Sequence, residues 1–213
     1  MKKVLAEIRI ENIGTSFIHI SKSPQMYEYI KQNKYEDRGF NLLLKQGFVW
    51  YQDFIEFSML SDFQSYWIKI AVAETLEIDS VIADAIKRPG NSFAGNDIIV
   101  LPFKIEDKDK VYVFGDYEED LNLSFTLPAG NYKLLFQNRD FTPEEIEASP
   151  NNDCQDLDYD DWDENMELCL LTFIPTEEVV EPEILVYRSS TRKVKSANPL
   201  ILFNEKLYED YDE

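Results

Sequence analysis

The chain has 213 residues, 44% of them hydrophobic and 14% aromatic, and sets 41 carboxylates against 21 Lys and Arg for a formal charge of −20. This is too apolar for a disordered chain and long enough for a sizeable core, so one folded domain is expected. The acidic balance argues against nucleic acid or an anionic membrane as a partner, since both are polyanions, and makes a basic protein the natural one.

No window approaches the roughly eighteen consecutive apolar residues of a transmembrane helix. The start, Met1-Lys-Lys-Val-Leu-Ala-Glu7, has the lysines of a signal peptide, but Glu7 and Arg9 interrupt the apolar region that should follow. A soluble, cytoplasmic protein is expected. The two cysteines, Cys154 and Cys169, fit neither a disulfide framework nor a CxxC pattern. Cys169 lies in an apolar run, where a buried, inert thiol is expected.

Val4 to Glu11 alternates apolar and charged residues, the period of a half-buried strand, and Ser16-Phe-Ile-His-Ile-Ser21 reads as a second strand. Ser23-Pro24 resembles an N-cap and first helical position, predicting a short helix to about Asn33. Phe48 to Tyr51, Phe54 to Met59 and Tyr66 to Val72 are rich in aromatic and β-branched residues and are predicted strands. Leu76 to Ile86 is open between strand and helix, and Arg88-Pro-Gly-Asn-Ser92 breaks the chain after it. In Ile98 to Ile105, Pro102 lacks an N–H and points to an edge position or a bulge.

Val111 to Phe114 is a further predicted strand, and Leu121, Leu123, Phe125 and Leu127 alternate without error against Asn122, Ser124 and Thr126. Pro128-Ala-Gly-Asn131 matches a type I turn, so Tyr132 to Gln137 is expected to return as a hairpin partner. Thr142-Pro-Glu-Glu145 has capping-box spacing with Pro at the first helical position. Leu168 to Ile174 and Ile184 to Tyr187 are the last predicted core strands. The tail is basic, then apolar, then acidic, and is expected to dock by its apolar part. Many short strands with few helices predict an all-β fold, an antiparallel β-sandwich with one or two short helices. The expected limits are one domain over 1–188, an acidic insertion at about 140–167, and a C-terminal extension over 189–213.

The 48 residues from Asp140 to Tyr187 hold 16 carboxylates and no Lys or Arg, so the charge of the chain is almost entirely local. The densest part carries Asp153, Asp156, Asp158, Asp160, Asp161, Asp163 and Glu164 within twelve residues, with Tyr159 and Trp162 among them. A charge run is ordinarily a solvated loop. Aromatic residues inside it favour an interface, because Tyr and Trp are enriched where proteins meet and scarce in acidic disordered tails. Asp156, Asp158, Asp160, Glu164 and Glu167 also fall at positions 1, 3, 5, 9 and 12 of a calcium loop. Against calcium stand Asp161 at the sixth position, where the turn wants Gly, and a strand instead of an exiting helix.

His19 is the only histidine, which removes most hydrolase, zinc and acid–base mechanisms and reads best as a strand residue. Gly90-Asn-Ser-Phe-Ala-Gly95 is one residue too long for a nucleophile elbow, and no histidine follows it. Carboxylates are numerous enough for a glycosidase pair, but their abundance removes any specificity. No enzyme and no cofactor is expected.

The blocks Ile99-Val-Leu-Pro-Phe-Lys-Ile105, Phe125-Thr-Leu-Pro-Ala-Gly-Asn-Tyr-Lys-Leu-Leu-Phe136, Leu168-Cys-Leu-Leu-Thr-Phe-Ile-Pro175 and Glu181-Pro-Glu-Ile-Leu185 together resemble the competence protein J family. Gln46-Gly-Phe48 and Trp67-Ile-Lys-Ile-Ala-Val72 are weaker echoes of its earlier part. That family includes an inhibitor of a DNA-uptake nuclease, so the resemblance implies an inhibitory or immunity role and no catalysis. The chain departs from the family in its length, its acidic insertion and its tail, and the resemblance carries over no binding residue. The expected function is to block a nuclease or nuclease toxin through an acidic, phosphate-mimicking surface. The alternative is a β-sandwich interaction or calcium-binding module with another partner.

Overall fold

The computed structural model describes residues 2–13, 17–22, 47–51, 54–58, 64–87, 98–106, 110–114, 123–147 and 166–186. The strands are β1 (Lys3–Ile13), β2 (Phe17–Ser21), β3 (Phe48–Tyr51), β4 (Phe54–Ser58), β5 (Gln64–Val72), β6 (Ile98–Ile105), β7 (Lys110–Phe114), β8 (Leu123–Thr126), β9 (Gly130–Asp140), β10 (Met166–Pro175) and β11 (Glu183–Val186). Among the described residues two short helices accompany them, α1 (Ser80–Lys87) and α2 (Pro143–Glu147). The helix expected up to Asn33, the Gly90–Gly95 run and the tail after Val186 lie outside the described residues.

The strands form two sheets, ordered β1-β5-β10-β9-β6-β11 and β3-β4-β2-β7-β8. Alternation decides which side chains meet between them. Ile68 and Ile70 of β5, Leu101 and Phe103 of β6, Leu134 and Phe136 of β9, and Leu171 and Phe173 of β10 face Ile18, Ile20, Phe57, Val111 and Val113 of the second sheet in one core. Phe57 and Phe136 stack across it at 4.2 Å between ring centroids. Phe173 takes the edges of Phe103 and Phe125 at 5.3 and 5.6 Å.

The unbroken apolar run at the start of β6 has a structural cause, since both faces are covered there. Ile99 and Leu101 enter the core between the sheets, while Ile98 and Val100 pack with Leu135, Ile174 and Ile82 of α1 on the outer face of the first sheet. The ambiguity over Leu76 to Ile86 resolves as a helix beginning at Ser80. Asp79 Oδ1 accepts the N–H groups of Val81 and Ile82 at 3.0 and 3.3 Å, an N-cap that the preceding acidic residues obscure in the sequence.

Two expectations need correction. The chain between Leu127 and Asn131 does turn, with Gly130 at φ 155° and Tyr132 Oη donating to the Pro128 carbonyl at 2.7 Å. Yet β8 and β9 are not a hairpin: β8 pairs with β7 in one sheet and β9 with β6 and β10 in the other. Turn chemistry fixes a reversal of direction, not lateral pairing, and the eleven-residue β9 forms long ladders on both sides where the four-residue β8 could not match it. The sheets are also not wholly antiparallel, because β10 runs parallel to β5. The expectation for Pro102 holds: its strand has neighbours on both sides, but β11 pairs only with Ile98, Ile99 and Val100, so β6 is a local edge at Pro102.

Candidate functional site

Asp153, Asp156, Asp158, Tyr159, Asp160, Asp161, Trp162, Asp163 and Glu164 lie outside the described residues, and so does Cys154. The structure describes the two places where the chain enters and leaves this stretch. It leaves β9 at Asp140 and returns at Met166 into β10, and Glu167 is the register partner of Asp140. The acidic insertion is therefore a connection between adjacent antiparallel strands, with α2 on its entering side.

Entry is organised by the predicted capping box. The Thr142 N–H donates to Glu145 Oε2 at 2.9 Å, and the Glu145 N–H donates to Thr142 Oγ1 at 3.3 Å. Phe141 turns onto the outer sheet face against Leu168, Leu170 and Trp67, its ring 5.6 Å from that of Trp67. Lys69 Nζ lies 3.8 Å over the other aromatic system of this group, the Trp67 indole.

Arg139, only 3% exposed, is the one feature here that the sequence reading missed. Its Nη1 and Nη2 donate to Glu145 Oε2 and Oε1 at 2.6 and 2.8 Å, and its Nε donates to Asp79 Oδ1 at 2.9 Å. Burial by itself would lower the pKa of the guanidinium, but the bonds to Glu145 and Asp79 outweigh it and raise the value above the ordinary one. Arg139 in turn holds the Glu145 carboxyl below the usual carboxylate range. Beside it, Gln137 Oε1 accepts the Asp79 N–H at 2.8 Å, and Gln137 Nε2 donates to the Glu77 carbonyl at 3.3 Å. The polar run Gln137-Asn-Arg-Asp140 at the end of an apolar strand is the sequence signal for this network.

The exit side is buried. Glu167 has no exposed surface, and its Oε2 accepts a hydrogen bond from Asn138 Nδ2 at 2.8 Å. It shares the inward face of β10 with Cys169, whose thiol is pushed well up, first by burial and then by the nearby Glu167 charge. Of the five residues in calcium-loop register, only Glu167 is described, and its carboxylate is engaged within the sandwich. Among the described residues no group of three or more His, Cys, Asp or Glu is placed to hold a metal. His19 stands on β2 as a buried strand residue, its Nε2 3.5 Å from Glu56 Oε2.

These features define a two-sheet β protein that carries a long acidic connection between neighbouring strands. Residues 33–161 match the family model of competence protein J (ComJ), and the chain belongs to that family. The blocks at 168–175 and 181–185 fall beyond the matched residues. Among solved structures the chain is similar to ComJ of Bacillus subtilis, described as an inhibitor of the DNA-degrading activity of NucA. The identity is 13% and the TM-score 0.46, covering 83% of this chain and 99% of that one. It is also similar to the product of crocagin biosynthetic gene J, at 14% identity and a TM-score of 0.44, covering 82% of this chain and 98% of that one. No curated protein matches.

Proposed function

We propose that this chain is a non-catalytic cytoplasmic inhibitor that binds a basic, DNA-degrading nuclease through its acidic stretch. Membership of the competence protein J family supports the reading, since ComJ of Bacillus subtilis is described as an inhibitor of the DNA-degrading activity of NucA. The observation that carries it to particular residues is the charge itself: seven carboxylates in the twelve residues from Asp153 to Glu164, with no Lys or Arg between Asp140 and Tyr187. A nuclease must present Lys and Arg to phosphates, and closely spaced carboxylates can occupy that cleft in their place. Asp153, Asp156, Asp158, Asp160, Asp161, Asp163 and Glu164 would supply the charge, and Tyr159 and Trp162 the desolvated contacts.

The test is direct. A DNA-uptake nuclease encoded in the same genome is titrated with the purified chain while it degrades plasmid DNA. Stoichiometric loss of cleavage, relieved as salt is raised, is the expected result. Undiminished cleavage at a large excess of the chain would sink the reading.

A further inference from the structure

We propose that Arg139 is a positioning residue for partner binding, fixing the direction in which the chain leaves α2 toward the acidic stretch; this rests on the proposed nuclease inhibition. The argument begins with the length of α2. A five-residue helix has no stability of its own, so its orientation is whatever its tertiary contacts impose. Among the hydrogen bonds and ion pairs of the described residues, two sets impose it: the capping box, which is internal to the turn, and the two-point bond from Arg139, which ties α2 to the sheet.

The second step is what else Arg139 holds. Its Nε bonds Asp79, which caps α1 and is itself bonded to Gln137 of β9. One guanidinium thus joins the first turns of two helices to one strand, and α2 cannot swing without breaking a partly buried charge network. The third step concerns why a charge is used. On the same outer face Leu135, Leu168 and Leu170 are buried apolar residues, so apolar packing was open to this position too. A buried ion pair seldom adds stability over well-packed apolar side chains, whereas a fork bonded to a carboxylate fixes one geometry.

Glu147 ends α2 six residues before Asp153, and Met166 begins β10 two residues after Glu164. The Arg139 network and the β9–β10 ladder thus fix the two described ends at which the acidic stretch departs and returns, and fixed ends favour a single presentation to a basic cleft.

Glu144 provides the control, since it is an exposed carboxylate on the same helix turn outside the network. Glu145→Ala and Glu144→Ala each remove one negative charge, but only the first releases Arg139. With the nuclease of the preceding test as probe, at a temperature where circular dichroism shows both variants folded, Glu144→Ala should bind within about twofold of wild type. Glu145→Ala should bind about tenfold more weakly, mostly through slower association. Glu145→Gln, which retains a hydrogen-bond acceptor for Arg139 and Thr142, should fall between them. In the free protein, amide exchange over residues 141–147 should accelerate in Glu145→Ala and not in Glu144→Ala. Equal affinities for the two alanine variants, or unchanged exchange, overturn the positioning role while wild-type binding leaves the inhibitor reading standing. Absence of wild-type binding overturns both.

Discussion

Trp50 on β3 reaches across the two sheets and donates its indole N–H to the carbonyl of Pro102 on β6 at 3.3 Å. The N and O of one strand residue point to the same side, so the bond shows which way the Pro102 nitrogen faces: away from β9, toward the side where β11 has already ended. The missing N–H therefore costs no ladder bond, and the carbonyl that an edge would leave to solvent is satisfied by a side chain of the opposite sheet. Trp50→Phe keeps an aromatic ring in place but removes the donor together with part of the indole. It should destabilise the fold by about 1 kcal/mol, seen as a lower urea midpoint at an unchanged slope. An unshifted midpoint would show that the bond contributes nothing to stability.

Period-2 alternation made most of the sheet legible in the sequence. The described strands β1 to β11 all fall where the alternating or continuous apolar segments predict them, within a few residues at each end. Pairing was less legible, because alternation says which face a residue takes and not which neighbour its strand takes. Hence the β8–β9 hairpin and the wholly antiparallel sheet were both natural readings, and both were overturned by ladders between segments far apart in sequence. The same limit explains Arg139. Thr142 and Glu145 are three residues apart and show as a capping box, but Asp79 reaches Arg139 from sixty residues away.

His19 links fold stability to pH. It lies between Ile18 and Ile20, which enter the core, so its own side chain takes the opposite face of β2, where it is buried beside Glu56 and tilted against Phe54. Burial lowers its pKa from 6.5 to about 4. A base whose folded pKa is depressed favours the fold fully above its ordinary value, and the advantage is lost as pH falls from 6.5 toward about 4. The loss attributable to this group should approach about 3 kcal/mol at the acid end. Carboxylates titrate nearby, so the measurement is a comparison. In urea denaturation at pH 7, 5.5 and 4.5, wild type should lose stability more steeply than His19→Gln. Parallel pH profiles would mean that His19 is protonated within the fold.

The acidic stretch predicts a separation of binding from folding. Asp158, Asp160, Asp161 and Asp163 replaced together by Asn should weaken binding to the partner nuclease while leaving the melting temperature nearly unchanged. Closely spaced like charges contribute little to stability and can oppose it, so their removal should not harm the fold. Full inhibition by the folded quadruple variant would remove these residues from the mechanism.

Within the same stretch, charge and aromatic contact make different demands on the rates. Carboxylates act at a distance, so raising salt from low to physiological, where screening shortens to about 8 Å, should cut the association rate and change dissociation less. Trp162 acts only after contact, by filling a dry pocket, and removing such an aromatic typically costs about 2 kcal/mol or more. Trp162→Ala should therefore raise the dissociation rate by roughly thirtyfold and leave association nearly as it was. The competing role is internal, with Trp162 packed back on the protein, and that variant would then lose stability along with affinity. Stopped-flow association and dissociation, measured beside a denaturation curve for each protein, separate the two. A stably folded Trp162→Ala with an unaltered dissociation rate would leave the carboxylates as the whole of the contact and remove the aromatic anchor from it.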